Sequence, residues 1–310
     1  MNSTAPTADT TAQIADRLRH LPMPVLLFIA ARVKTLGLSL APVAVGTWLA
    51  AQSGDWNVAV MVAAMVAAAS IQIGTNLWND AADGGRGTDG PDRLGPPRMT
   101  GLGLLDAALV RRAAMAAFAT AALFGLWLTM IGGWPVILIG LVSLALGYFY
   151  SMGAYPLSHS PLGEALVIAF FGVVAVGGTV YLHGQQITGD VLMIGIITGL
   201  PAAAVLLINN HRDRDLDQIA GRRTLAIVIG QGATRGLYGF FLMAALLGGV
   251  LISASNIAGF LPFVPVTVLA FILVAGMMKT PVSAGLNRLI AGTVGFQILL
   301  LFAIVLARYF

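Results

Sequence analysis

Two short stretches of this sequence gather the side chains that can hold a metal and an anion. Asn76 to Arg98, NLWNDAADGGRGTDGPDRLGPPR, carries Asp80, Asp83, Asp89 and Asp92 together with Arg86, Arg93 and Arg98. Asn79 and Asp83 stand four apart, which on a helix stacks them on one face. Asn209 to Arg223, NNHRDRDLDQIAGRR, repeats the theme, with Asn209, Asp213 and Asp217 spaced i, i+4, i+8 as one row of oxygen ligands. Aligned on their asparagines the stretches read N-D-x-x-D and N-N-x-x-D. The chain has no cysteine and four histidines, so these donors suit Mg²⁺ rather than zinc or copper. Mg²⁺ is usually held by one or two carboxylates plus the phosphate oxygens of a substrate. Two facing rows would hold two such ions and clamp a diphosphate from both sides. Arg93, Arg98, Arg222 and Arg223 lie just beyond the rows, placed to give the same group charge-assisted hydrogen bonds.

Arginines beside a membrane need no ligand to explain them. The acids are harder to dismiss. Seven of the chain's thirteen Asp and Glu residues (Asp80, Asp83, Asp89, Asp92, Asp213, Asp215 and Asp217) sit in these two windows, and ionisable groups beside membrane spans mark function by default. Asp80, Asp92 and Asp215 have a second reading, in which they point away and pair with nearby arginines.

The elements that must position these rows are membrane helices. The chain is 58% hydrophobic and 10% charged, with a mean hydropathy of +0.87, whereas a soluble domain carries about 25% charged residues. Ala113 to Gly133 holds no charge and is long enough for a crossing, which takes ~20 apolar residues. Apolar length predicts about nine spans: Thr35–Ala51, Val58–Leu77, Ala113–Ile131, Trp134–Tyr150, Ala165–His183, Val191–Ile208, Leu237–Ile252, Ile257–Met278 and Leu289–Leu306. Arg and Lys fall before the first span and in the loops after the second, sixth and eighth, while alternate loops carry none; only Arg308 lands on the other side. That one-sidedness puts the N-terminus in the cytoplasm and both acidic rows on the cytoplasmic face of the cell inner membrane. It also accounts for the net charge of +4 without any nucleic-acid partner. The expectation is an all-α, polytopic helical bundle with two Asp-rich motifs at its cytoplasmic mouth. Residues 1–22 read as a disordered or interfacial N-terminal segment, and 23–310 as one transmembrane domain with an approximate internal repeat.

A diphosphate site at the end of an apolar bundle suggests a substrate with a charged head and a long hydrocarbon tail. Helices would surround the tail in the membrane lipid. Metal and arginine would stabilise charge as a C–O bond breaks, and apolar walls would keep water from the resulting allylic cation.

The same residues resemble the UbiA-type intramembrane prenyltransferases, most closely their 1,4-dihydroxy-2-naphthoate polyprenyltransferase branch. The likeness runs from Ala31 to the C-terminus. It rests on ARVKTL (Ala31 to Leu36), N-D-x-x-D-x-x-x-G-x-D (Asn79 to Asp89), DRLGPPRMTGLGLL (Asp92 to Leu105), YSMGAYPLSHSPLGE (Tyr150 to Glu164) and NNHRDRDLDQIAGRRTLA (Asn209 to Ala226). The resemblance implies that Asn79 and Asp83, assisted by Asp89, serve one Mg²⁺, and that Asp213 and Asp217 serve the other. It makes Asp83, Asp213 and Asp217 the catalytic acids and Arg93 and Arg98 a basic pair after the first motif. Arg222 keeps a charge where lysine is common, Lys34 meets the diphosphate or the acceptor carboxylate, and Tyr150 follows the fourth span. It also implies transfer from a polyprenyl diphosphate to an aromatic acceptor, with loss of CO₂, to give demethylmenaquinone.

Two residues depart from the family pattern: Ala81 replaces an aromatic residue, and His159 stands where tyrosine or a basic residue is common. They leave room for another acceptor or for terpene cyclisation. A rival of another class, an ion-coupled secondary transporter, would place its acids at mid-membrane rather than at one face. Glu164 reads as a partner of the acceptor or as a helix cap, and His20, His183 and His211 read as interfacial.

Overall fold

A computed structural model describes residues 8–54, 56–86, 94–149 and 157–310, with residues 8–12, 83–86 and 158 described by their backbone alone. Asp89, Asp92, Arg93 and Tyr150 therefore lie outside the described residues, and the Asp83 side chain with them.

Apolar content drives every long element into helix, and the described residues contain no strand. Among the described residues, seven helices are long and apolar enough to cross a membrane. They are α4 (Val58–Arg86), α5 (Ala107–Gly132), the run Gly163–Leu182, α9 (Gly189–Arg212), α11 (Leu225–Ser253), the run Ala258–Lys279 ending in α12 (Phe263–Lys279), and the run Ala284–Ala307 ending in α13 (Asn287–Ala307). An eighth is bent by 51° where Met23–Thr35 meets α3 (Gly37–Gln52), the first part of the pair being α2 (Met23–Ala30) and a short 3₁₀ turn. Helix α6 (Trp134–Phe149) has 16 residues. At 1.5 Å per residue it is about 24 Å long, short of a ~30 Å hydrocarbon core. The nine expected spans thus become seven full-length helices, one bent pair and one short helix.

Helix α1 (Ala8–Arg19) lies within the segment expected to be disordered or interfacial, and Leu18 and Leu21 pack on the cluster around Leu26, Trp78 and Met99.

Helix α9 is the hub. Its apolar stretch is 78% buried, the largest share of any span, and it packs against the Gly163–Leu182 run, α11 and α13. Two glycines one turn apart, Gly195 and Gly199, allow one of these approaches. A Cβ on Gly199 would lie 2.7 Å from the Ile168 carbonyl oxygen, and one on Gly172 would lie 2.3 Å from the Gly195 carbonyl oxygen. Backbone meets backbone here, as small residues permit between membrane helices. The Gly163–Leu182 run is not uniform: α7 (Gly163–Ile168) passes through a π-helical segment, Ala169–Val174, into α8 (Ala175–Leu182).

Candidate active site

The polar end of the bundle begins with a helix break. Arg32 adopts a left-handed backbone (φ 52, ψ 46), uncommon for a residue with a Cβ. The break frees backbone carbonyls, and inside a bundle these must find donors. Helix α4 supplies them from two amides four residues apart. Asn76 Nδ2 donates to the Ala31 carbonyl at 2.9 Å, and Gln72 Nε2 donates to the Thr35 carbonyl at 2.9 Å. The result turns Arg32 into a cavity, while Lys34, two residues on, is exposed and does not line it.

That cavity has a volume of about 630 Å³. At its polar end stand Arg32, Thr35, Gln72, Asn76, Asn79 and Asn209. The two asparagines that lead the acidic rows therefore face one space. From there it runs through apolar walls to Leu128, Val136 and Leu182, which pack together at the other end of the bundle.

Asp80, beside Asn79, turns the opposite way. It is 1% exposed and accepts hydrogen bonds from Met99 N (2.9 Å), Thr100 N (2.9 Å) and the Thr100 hydroxyl (2.8 Å). It anchors the loop that follows the first row. Arg98, at the head of that loop, is buried. Ala81 belongs to the packed cluster with Leu77, Met99 and Val110 and does not line the cavity. This departure from the family pattern is accommodated in the packed cluster rather than on the cavity wall.

The second row is not one helix. Helix α9 stops at Arg212, Asp213 takes non-helical angles (φ −93, ψ 4), and α10 (Arg214–Ile219) restarts. Asp213 N still donates to Asn209 O (3.0 Å) and Asp217 N to Asp213 O (2.9 Å), so the four-residue register survives the break. Each acid has an arginine. Asp213 receives Arg212 Nε at 2.8 Å and its terminal nitrogen at 2.6 Å, and Asp217 receives Arg222 at 2.9 Å. Asp215 pairs with Arg214 at 3.1 Å and stays largely exposed, and the Arg223 side chain is exposed while its backbone N donates to His159 O (2.9 Å). Arg212, itself buried, also donates to Asn287 Oδ1 (2.6 Å), and Asn287 Nδ2 donates to Leu94 O (3.0 Å). Asn287 thereby ties the second row to the loop after the first, fixing both at one end of the molecule.

Three other residues gain partners that their sequence readings did not name. Glu164 is 2% exposed and accepts from Asn210 Nδ2 at 2.9 Å, so it steadies the residue beside Asn209. His211 is fully buried in the protein, with Arg235 Nε 3.3 Å from its Nε2. His183 is buried as well, receives Asn57 N at 3.2 Å, and has its pKa lowered by that burial.

Among the described residues no three His, Asp or Glu side chains converge as a metal site; Asp89 and the Asp83 side chain lie outside them. The donors that are described, Asn79, Asn209, Asp213 and Asp217, are all oxygen ligands. They fit Mg²⁺ bound partly through substrate phosphates, as they would not fit a softer metal.

Residues 39–289 match the family model described as the UbiA prenyltransferase family. The chain belongs to the UbiA prenyltransferase family. Among its UbiA relatives, a 1,4-dihydroxy-2-naphthoate octaprenyltransferase of Mycobacterium tuberculosis is 38% identical over 228 residues, 73% of this chain and 77% of the relative. The Escherichia coli protein of the same name is 32% identical, over 70% of this chain and 72% of its own length. In fold, the chain is similar to a UbiA homologue from Archaeoglobus fulgidus solved bound to GPP and Mg²⁺, with a TM-score of 0.62 at 14% identity. That match covers 92% of this chain and 100% of the other.

Arg32 is the site residue that sequence reasoning missed. Its positive charge read as a membrane anchor. The available signal lay elsewhere, in Gln72 and Asn76, two amides at helical spacing inside an otherwise apolar run.

Proposed function

We propose that this protein is a Mg²⁺-dependent prenyltransferase that joins a polyprenyl group from an allylic polyprenyl diphosphate to 1,4-dihydroxy-2-naphthoate. The observation that carries this reading is the cavity that starts between Asn79 and Asn209 and continues as an apolar tunnel. A charged head matches its polar mouth and a hydrocarbon tail its apolar walls. The relatives' naphthoate acceptor supplies the rest.

In this reading Asn79, Asp83 and Asp89 hold one ion and Asp213 and Asp217 hold another, with Asn209 at the cavity edge. Bound Mg²⁺ would supply charge stabilisation for the diphosphate leaving group. Arg32, Arg93, Arg98 and Arg222 bind its remaining oxygens, and Arg223, Lys34 and Tyr150 take part in substrate binding. The C1–O bond breaks and its electron pair leaves with the diphosphate. The ring carbon bearing the carboxylate then bonds to C1. Loss of CO₂ returns the C–C electron pair to the ring and yields demethylmenaquinol, the reduced form of demethylmenaquinone. The apolar walls exclude the water that would otherwise capture the cation. The site works at the cytoplasmic face of the cell membrane, with the N-terminus on that side, because the basic loops gather there.

The test is product identification. Purified protein given a polyprenyl diphosphate and Mg²⁺, with and without dihydroxynaphthoate, is expected to form the prenylated, decarboxylated product only when both substrates are present. Asp83→Ala and Asp217→Asn are expected to lower turnover by about two orders of magnitude or more, the scale for a lost electrostatic stabiliser. A cyclised hydrocarbon without acceptor, or full activity in either variant, would overturn the reading.

A further inference from the structure

Below the polar mouth the walls of the cavity are mostly aliphatic, with a few Ser and Thr hydroxyls. Among the described residues that line it, Phe170 and Phe171 are the only aromatic ones. Both lie in the π-helical segment Ala169–Val174, a kind of turn that recurs at functional sites. The reason for it can be read from the lining itself. Leu166 and Val167, Phe170 and Phe171, Val174 and Ala175, and Gly178 and Thr179 line the cavity as pairs that recur every four residues. On a helix of 3.6 residues per turn such pairs would drift around the axis. A wider turn in the middle brings them back to one face. The contact of Gly172 with Gly195 and Gly199 of α9 fixes where that turn sits.

The depth of the pair is also set. Phe171 packs on the cluster formed by Leu38, Ala202, Val205 and Val294. Val205 lies four residues before Asn209, or about 6 Å along α9 at 1.5 Å per residue, and Leu38 lies three residues after Thr35. Phe171 therefore lies roughly one helical turn below the polar mouth, at the depth where the first carbons of a tail enter when its head is held between Asn79 and Asn209.

We propose that Phe170 and Phe171 form an aromatic wall whose ring faces stabilise the allylic cation as the diphosphate departs, with Phe171 the principal contact. The inference rests on the prenyl-transfer reading above and assigns it two further catalytic residues. An aromatic face attracts a cation through its quadrupole, and more strongly where water is excluded. An aliphatic wall of equal size would hold the tail as well but would not favour the charge.

The test separates the quadrupole from the shape. Replacing Phe171 with 3,4,5-trifluorophenylalanine keeps the ring's outline and weakens its negative face. The expected result is a kcat reduced roughly two- to thirty-fold, an unchanged KM for the prenyl diphosphate, and a graded response across mono-, di- and trifluorinated rings. Phe171→Leu is expected to lower kcat, and Phe171→Tyr to preserve it. An unchanged kcat across the fluorinated series overturns the proposal. So does a lower KM for the acceptor at constant kcat, which would make the ring a stacking surface for the naphthoate. If the wild-type protein forms no prenylated product, it is the underlying reading that fails. If the wild type turns over and fluorination has no effect, only the aromatic wall fails.

Discussion

Asp80 and Asp83 belong to one motif and three positions of one helix, yet Asp80 is buried on the side of the following loop. Its carboxylate satisfies two backbone N–H groups, those of Met99 and Thr100. Removing it leaves buried donors without partners, at about 1–3 kcal/mol each. Asp80→Ala is therefore expected to lower the thermal midpoint in detergent by several degrees, and Asp80→Asn, which keeps one acceptor oxygen, by less. Residual activity should keep its normal Mg²⁺ dependence in both. A variant with unchanged melting but a raised Mg²⁺ requirement would instead make Asp80 a ligand. At this scale the sequence could place acids in a motif but could not say which way each one faces. Asp80 and Ala81 both point into the packed cluster around Met99, because a helix beside a loop must bury one of its faces. Spacing identifies the faces without saying which is covered. Arg32 and Lys34 teach the same lesson: two cations two residues apart diverge once the backbone turns left-handed between α2 and α3.

Helices were legible where apolar length alone decides, and misjudged where hydrogen bonding across elements decides. The break at Arg32 depends on amides of α4, and the break at Asp213 leaves the register intact, so neither leaves a mark in local hydropathy. The crossing of α9 with the π-helical segment was equally hidden, since glycine spacing becomes informative only once the partner helix is known. This crossing has a measurable consequence. A Cβ at position 199 would meet the backbone of Ile168 at 2.7 and 2.8 Å, and backbone atoms cannot rotate away as a side chain can. Gly199→Ala is expected to destabilise the protein by about 1–3 kcal/mol, the cost of overpacking, and to lower activity as the cavity wall shifts. Gly236→Ala in α11, where the new Cβ meets nothing within 4 Å, should be neutral or slightly stabilising, as alanine is the better helix former. Equal thermal midpoints for the two variants would show that the close approach does not hold the helices together.

For the whole molecule, the cavity connects a polar mouth to a far apolar end, and it also opens sideways. Leu126, Ile137 and Leu141 line it while remaining 65%, 47% and 62% exposed. Side chains that touch both the cavity and the surroundings of a membrane helix mark a gap through which a tail can pass into lipid. A long prenyl chain then need not fit inside 630 Å³, and its outer units can remain among acyl chains. Gly125 and Gly140 line this same region and would place a Cβ in open space. Gly125→Phe and Gly140→Phe can therefore fill the gap without forcing helices apart. A ten-carbon substrate, short enough to stay within the cavity, should be processed at close to the normal rate. A forty-carbon substrate must leave through the gap, and its kcat/KM is expected to fall about tenfold or more, the scale on which apolar pockets discriminate by size. Leu182→Trp at the far end should affect the two chain lengths alike, because the long tail does not travel there. If instead the far-end substitution selectively blocks the longer chain and the two glycine variants do not, the tail runs the full length of the bundle and the sideways route is wrong.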